Sequence, residues 1–117
     1  MAEPNRLETV RNLLEQRITP QEAIAILRLF PWDFEGYPVV IERRHVSNLL
    51  ERFLIGTICS LDVATWAEAV EFRDDIKPEK EFEDCILQTV LEIANPTING
   101  ELTVERAQEL LMLLTSE

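Results

Sequence analysis

This sequence of 117 residues has one histidine, two cysteines, three glycines and no apolar run near the length of a bilayer span, so little of it can run chemistry. A single histidine cannot furnish the paired Glu-x-x-His elements of a helical di-iron site. The two cysteines, Cys59 and Cys85, are too far apart for a Cys-x-x-Cys redox or zinc pair, and one disulfide is no framework. Both read as small buried hydrophobes. Three glycines and six prolines exclude a low-complexity chain, and none of the glycines forms a phosphate-cradling loop. The first residues, Met-Ala-Glu-Pro-Asn-Arg, lack the basic and apolar regions of a signal peptide, which reads as a cytoplasmic protein.

Basic residues are also scarce, and unevenly so. Residues 1–57 carry eight acidic and seven basic side chains, residues 58–117 fourteen acidic and four basic, so nearly all of the net charge of −11 lies in the second half. A field of that sign repels nucleic acid and anionic lipid and favours basic surfaces. No nucleic-acid partner and no membrane are expected. A helix-turn-helix reader needs a basic recognition helix, and the last helix, with Glu105, Arg106 and Glu109, lacks that face.

What is abundant is helical periodicity. Apolar residues recur at spacings of three and four almost throughout, and a hydrophobic fraction of 46% suits one globular domain of this length. A first helix follows Pro4 or Asn5 with Leu7, Val10, Leu13 and Leu14 inward. Thr19-Pro20-Gln21-Glu22 opens a second with a hydroxyl cap, a proline at the first helical position and a glutamate three residues after the cap. The third spans about His45 to Ile55, and Gly56 ends it. The fourth holds Val63, Trp66, Ala67 and Val70 and ends around Arg73 to Asp75. The fifth, after Pro78, stops at Asn95-Pro96, and the last starts at Thr103.

The expected fold is all-α: about six helices as three helical hairpins in a single domain covering residues 1–117. Three helix starts look alike, at Ile18-Thr19, Ile58-Cys59 and Leu102-Thr103, and an offset of 40 residues matches Val10 with Leu50, Leu13 with Phe53 and Leu14 with Leu54. Shared capping rules alone produce such likeness, and Cys59 and Arg106 are poor members of a capping box.

Two segments stand out as candidate binding elements. Four of eight aromatic residues fall between Phe30 and Tyr37, in a loop that either plugs the helical core or anchors an interface, with Trp32 and Tyr37 as candidate anchors. Val39-Val40-Ile41 beyond it is extended in pattern, yet one strand makes no sheet. Between Glu68 and Asp84 eight acidic residues face only Arg73, Lys77 and Lys80. If the fourth helix persists, Glu68, Glu71 and Asp75 line one exposed face, and with Asp74 they form a candidate docking surface for a basic protein. The alternative is a solvated face that keeps the chain soluble. Asp74-Asp75-Ile76-Lys77-Pro78-Glu79 lacks the glycine and the alternation of a calcium loop, so no metal site and no cofactor are expected. His45, beside Arg43 and Arg44, reads as exposed or half-buried, and no nucleophile motif accompanies it.

Phe53-Leu54-Ile55-Gly56, Asp62-Val63-Ala64-Thr65-Trp66-Ala67, Glu71-Phe72-Arg73-Asp74-Asp75-Ile76, Leu91-Glu92-Ile93-Ala94-Asn95-Pro96 and Asn99-Gly100-Glu101-Leu102-Thr103 together resemble a group of small acidic bacterial proteins known mainly as uncharacterised. That resemblance implies a bacterial, cytoplasmic, helical protein and brings no activity. In size, acidity and helix content the chain is also similar in type, without a shared motif, to immunity proteins that neutralise basic nuclease toxins. The expected function is a non-enzymatic interaction domain for a basic protein partner, with an immunity protein as the example. The alternatives are a small ligand-binding or enzymatic domain around a pocket involving His45, Cys59 or Cys85, and a homo-oligomeric structural subunit.

Overall fold

The computed structural model describes residues 5–31, 34 and 36–115. Seven helices carry most of the described chain: α1 Arg6–Leu14, α2 Pro20–Leu27, α3 Arg43–Leu54, α4 Ser60–Val70, α5 Glu83–Ile93, α6 Pro96–Asn99 and α7 Val104–Thr115. Two short strands, β1 Val39–Ile41 and β2 Ile76–Pro78, follow α2 and α4, and a 3-10 turn at Lys80–Phe82 leads into α5. The all-helical expectation holds for the bulk of the molecule, and the small sheet is an addition to it.

The apolar stripes converge on one core. Val10, Leu13 and Leu14 of α1 meet Ala23 and Leu27 of α2, Val46, Leu49 and Leu50 of α3, Val63, Trp66 and Ala67 of α4, Ile86 and Val90 of α5, and Ala107, Leu110 and Leu114 of α7. Trp66 is its largest fully buried side chain, and its indole N–H donates to the Leu13 carbonyl at 2.8 Å. That bond satisfies the ring's polar edge while tying α4 to the end of α1. The closest helix pair is α3 with α7, so the C-terminal helix closes the core against the middle of the chain.

Two helix connections are built alike. At the end of α1 the Gln16 N–H donates to Leu13 C=O and the Arg17 N–H to Asn12 C=O; at the end of α3 the Gly56 N–H donates to Phe53 C=O and the Thr57 N–H to Arg52 C=O. Both are Schellman ends with a left-handed residue, Gln16 at φ 59° and Gly56 at φ 84°. The next helix then opens on its cap. The Glu22 N–H donates to Thr19 Oγ1 at 3.1 Å, whereas at Cys59 the bond runs the other way, from the Cys59 N–H to Asp62 Oδ2 at 3.0 Å. Cys59 thus sits exposed at a helix start, in contrast to the buried position expected of it.

The second correction concerns the fourth helix. It ends at Val70, because Glu71 is extended (φ −65°, ψ 146°) and Phe72 is left-handed at φ 58°. Glu68, Glu71 and Asp75 therefore do not share a helical face. The chain leaves the helix to run as β2, which pairs parallel with β1 in the register Val39 to Ile76, Val40 to Lys77 and Ile41 to Pro78. The strand that had no visible partner in the sequence finds one within the acidic segment. A parallel pair needs a long crossover, and α3 and α4 supply it. Pro78, which has no N–H, occupies the last position of its strand.

Candidate functional site

Of the acidic residues singled out from the sequence, Asp75 is the least available. It is fully buried, with Oδ2 accepting from Arg6 Nε at 2.8 Å and from Arg73 Nη2 at 3.0 Å, and Oδ1 accepting from Arg73 Nε at 2.8 Å. Burial pushes its carboxyl upward, but the hydrogen bonds from Arg73 and Arg6 outweigh this and hold it below the usual value. Its own carbonyl accepts from the Val39 N–H at 2.8 Å, beside the first pair of the sheet register. Asp75 is a structural clasp between α1, the α4–β2 turn and β1. A docking role for it is corrected accordingly, because a carboxylate already ringed by two guanidiniums has nothing left to offer a partner.

The other three carboxylates have a different setting. Glu68, Glu71 and Asp74 line an open cleft of about 580 Å³ between the C-terminal ends of α2 and α4. Arg6, Arg28 and Arg73, with Ile24, Leu27, Phe30 and Phe72, complete much of its wall, so guanidiniums as well as carboxylates face the cleft. Glu71 is half-buried, and its Oε2 is shut off from water with no hydrogen-bond partner. Burial first, and the Glu68 carboxylate second, push the Glu71 carboxyl above its usual value. Among the described residues no arginine or lysine forms an ion pair with Glu68, Glu71 or Asp74. Phe72 stands on this rim 87% exposed in a left-handed backbone conformation, two unfavourable conditions in one aromatic residue.

The aromatic loop divides. Phe30 lines the cleft half-buried, and Phe34 is half-buried beneath the Arg6 guanidinium at 4.9 Å from its ring centre. Tyr37 is 93% exposed. Trp32 lies outside the described residues. Phe72, which was not singled out from the sequence as a candidate, joins the acidic and aromatic elements at one place. The hint available was that Phe72 follows Glu71 where the apolar stripe of α4 runs out.

Residues considered for catalysis are used structurally. His45 is buried at the start of α3, its Nδ1 accepting from the Glu42 N–H at 2.8 Å, so the neutral ring carries its proton on Nε2, 3.0 Å from Glu15 Oε2. Its burial corrects the exposed or half-buried position expected. Glu15 also takes two bonds from Arg44, at 2.8 and 2.6 Å, and Arg44 first and His45 second hold its carboxyl at about 2. The single Glu-x-x-His spacing, Glu42 to His45, serves to cap a helix. Cys85 is half-buried, with its thiol 3.5 Å from the Leu113 carbonyl. None of His45, Cys59 and Cys85 lines the cleft.

A smaller cavity of about 210 Å³ lies where α6 and the turn after it meet α4. Its facing charges satisfy each other, Arg106 reaching both oxygens of Glu92 at 2.7 Å. Among the described residues no group of three or more His, Cys, Asp or Glu side chains is placed to hold a metal ion, and no helix is long and apolar enough to cross a membrane. The cleft between α2 and α4 is thus one place where charge and apolar surface remain uncommitted; a second open pocket of about 570 Å³ is lined by Arg106, Glu109, Met112, Leu113 and Thr115. No protein-family model, no curated protein and no solved structure matches the chain.

Proposed function

We propose that this protein is a non-enzymatic interaction domain whose cleft between α2 and α4 receives a basic protein partner. Neutralisation of a basic toxin by an immunity protein is the type of activity that suits such a surface. The observation that carries the reading is the unpaired set Glu68, Glu71 and Asp74 around a cleft whose rim bears the exposed Phe72. The acidic field of residues 58–117 steers a basic partner, and a desolvated aromatic anchor supplies affinity once contact is made. Tyr37 adds a second exposed ring on the loop after α2.

The same reading takes α1 with α2 and α3 with α4 as two hairpins of one design, since their turns share hydrogen bonds and backbone conformation. The third pair departs from it by inserting α6 between α5 and α7.

The test is affinity capture at low salt with the wild type and a variant carrying Glu68→Lys, Glu71→Lys and Asp74→Lys, leaving Asp75 intact so that the clasp is preserved. The expected result is a basic protein retained by the wild type alone, whose affinity, remeasured with the purified partner, falls as salt rises. Equal retention by the folded variant, or binding insensitive to salt, overturns the reading.

A further inference from the structure

Two arginines of this molecule each lie against an aromatic ring with a carboxylate within 4 Å of the guanidinium. Arg6 donates to Asp75 at 2.8 Å while its guanidinium lies 4.9 Å from the centre of the Phe34 ring. Arg43 lies 3.4 Å from the centre of the Phe82 ring, its Nη1 donates to the Leu114 carbonyl at 3.0 Å, and Glu79 Oε1 lies 3.9 Å from its Nε while accepting from its backbone N–H at 2.8 Å. The pairing has a physical basis: a guanidinium is planar and weakly hydrated, so it can stack on a ring face while its edge donates to a carboxylate.

Glu71 and Phe72 present the same two components without the third. Among the described residues no donor reaches Glu71 Oε2, which is hidden from water, and Phe72 is held exposed beside it on the cleft wall. A buried carboxylate oxygen without a donor is costly, and turning the half-buried Glu71 carboxylate outward onto a cation from outside would relieve it. An ammonium would meet the charge alone. A guanidinium would satisfy both the oxygen and the ring.

We propose that Glu71 and Phe72 form the seat for one arginine side chain of the partner, which enters the cleft with its guanidinium against the ring and its N–H edge on the carboxylate. This deepens the reading above and rests on it, because it specifies which basic residue of the partner is recognised and where. Glu68 and Asp74 act at longer range, attracting positive charge of either kind.

Hexa-arginine and hexa-lysine peptides carry the same charge and separate the two ideas. Binding of each is measured by calorimetry at fixed ionic strength to the wild type, Glu71→Gln, Phe72→Gly and Glu68→Gln, with the Glu71 side-chain carboxyl carbon followed by NMR in the wild type. The wild type should prefer hexa-arginine by about five- to tenfold, the scale of a desolvated cation–ring contact. Glu71→Gln and Phe72→Gly should each bring the two peptides close to parity, Glu68→Gln should weaken both together, and the Glu71 carboxyl resonance should shift with hexa-arginine. Equal affinity of the wild type for the two peptides overturns the arginine seat and leaves the acidic docking face standing. An arginine preference that persists in both Glu71→Gln and Phe72→Gly overturns the assigned residues. Failure of the folded wild type to bind either peptide overturns the seat together with the docking reading. Glu71→Gln breaks no hydrogen bond at Oε2 among the described residues, and Phe72→Gly removes a side chain that is 87% exposed, so both variants report on the cleft in a folded protein.

Discussion

Asp75 and Glu71 are carboxylates from the same acidic run, one helical turn apart in sequence, and the fold treats them in opposite ways. Asp75 is fully buried with three donated bonds from two arginines; Glu71 has a hidden oxygen that no donor among the described residues reaches. Burial alone would raise both, so the opposite directions, down for Asp75 and up for Glu71, follow from the arginines that bond Asp75 and the Glu68 carboxylate that adds to burial at Glu71. A charge that the protein needs for its own architecture is surrounded. A charge left bare at the wall of a cleft, beside a strained and exposed aromatic ring, is the one the proposed partner would answer.

Breaking the clasp should have the largest effect. Asp75→Asn leaves Arg6 and Arg73 without their shared carboxylate and should cost about 3 kcal/mol in urea unfolding, toward the lower end for a disrupted buried pair because both arginines keep some contact with water. The pH dependence has a definite sign. A lowered carboxyl contributes stability above its ordinary value and loses it as pH falls, so the gap between wild type and Asp75→Asn should close in acid. The Glu15 carboxylate, held at about 2 against 4.5 when free, should add to the same acid limb, its contribution fading as pH falls from about 4.5 through about 2.

Relieving the strain at the rim should have a smaller effect of opposite direction. Phe72→Gly removes a left-handed non-glycine residue with little buried area to lose, and should stabilise by up to about 1 kcal/mol, a few degrees in the thermal midpoint. Gln16→Gly at the comparable end of α1 should gain less, because Arg52 Nη1 donates to the Gln16 side-chain oxygen at 3.0 Å.

Glu71→Gln should move stability least at neutral pH, within about 0.5 kcal/mol. Its signature lies in the profile. With its folded value raised, the wild-type carboxyl ionises more readily in the unfolded chain, so stability should fall as pH rises from 4.5 through the folded value. The variant should lack that decline. A loss above about 1 kcal/mol in Glu71→Gln would mean that the carboxylate has a partner within the chain, and the contrast with Asp75 would disappear.

Much of the fold was legible before any coordinates, because helices announce themselves locally. The Thr19-Pro20-Gln21-Glu22 start, the Gly56 stop and the stripes of Val10, Leu13 and Leu14 or Val46, Leu49 and Leu50 follow from caps and a period of 3.6. The end of α4 was not legible. Glu71 to Asp75 have no glycine or proline to stop a helix, and what ends it is the pairing of Ile76–Pro78 with a strand more than 30 residues earlier. Non-local pairing of short segments leaves no periodic trace in either one.

The sequence by itself determined the helical class, the apolar stripes that build the core and the acidity of the second half. Composition and short-range spacing carry all of these, since each depends on residues within a few turns of one another. Only the tertiary structure decided which acids are spoken for. That depended on Arg6, 69 residues earlier in the chain, reaching Asp75, and on no cation of the chain reaching Glu71 among the described residues. A charge's role is set by its partners in space, and charges paired across some 70 residues leave no mark on the order of the chain.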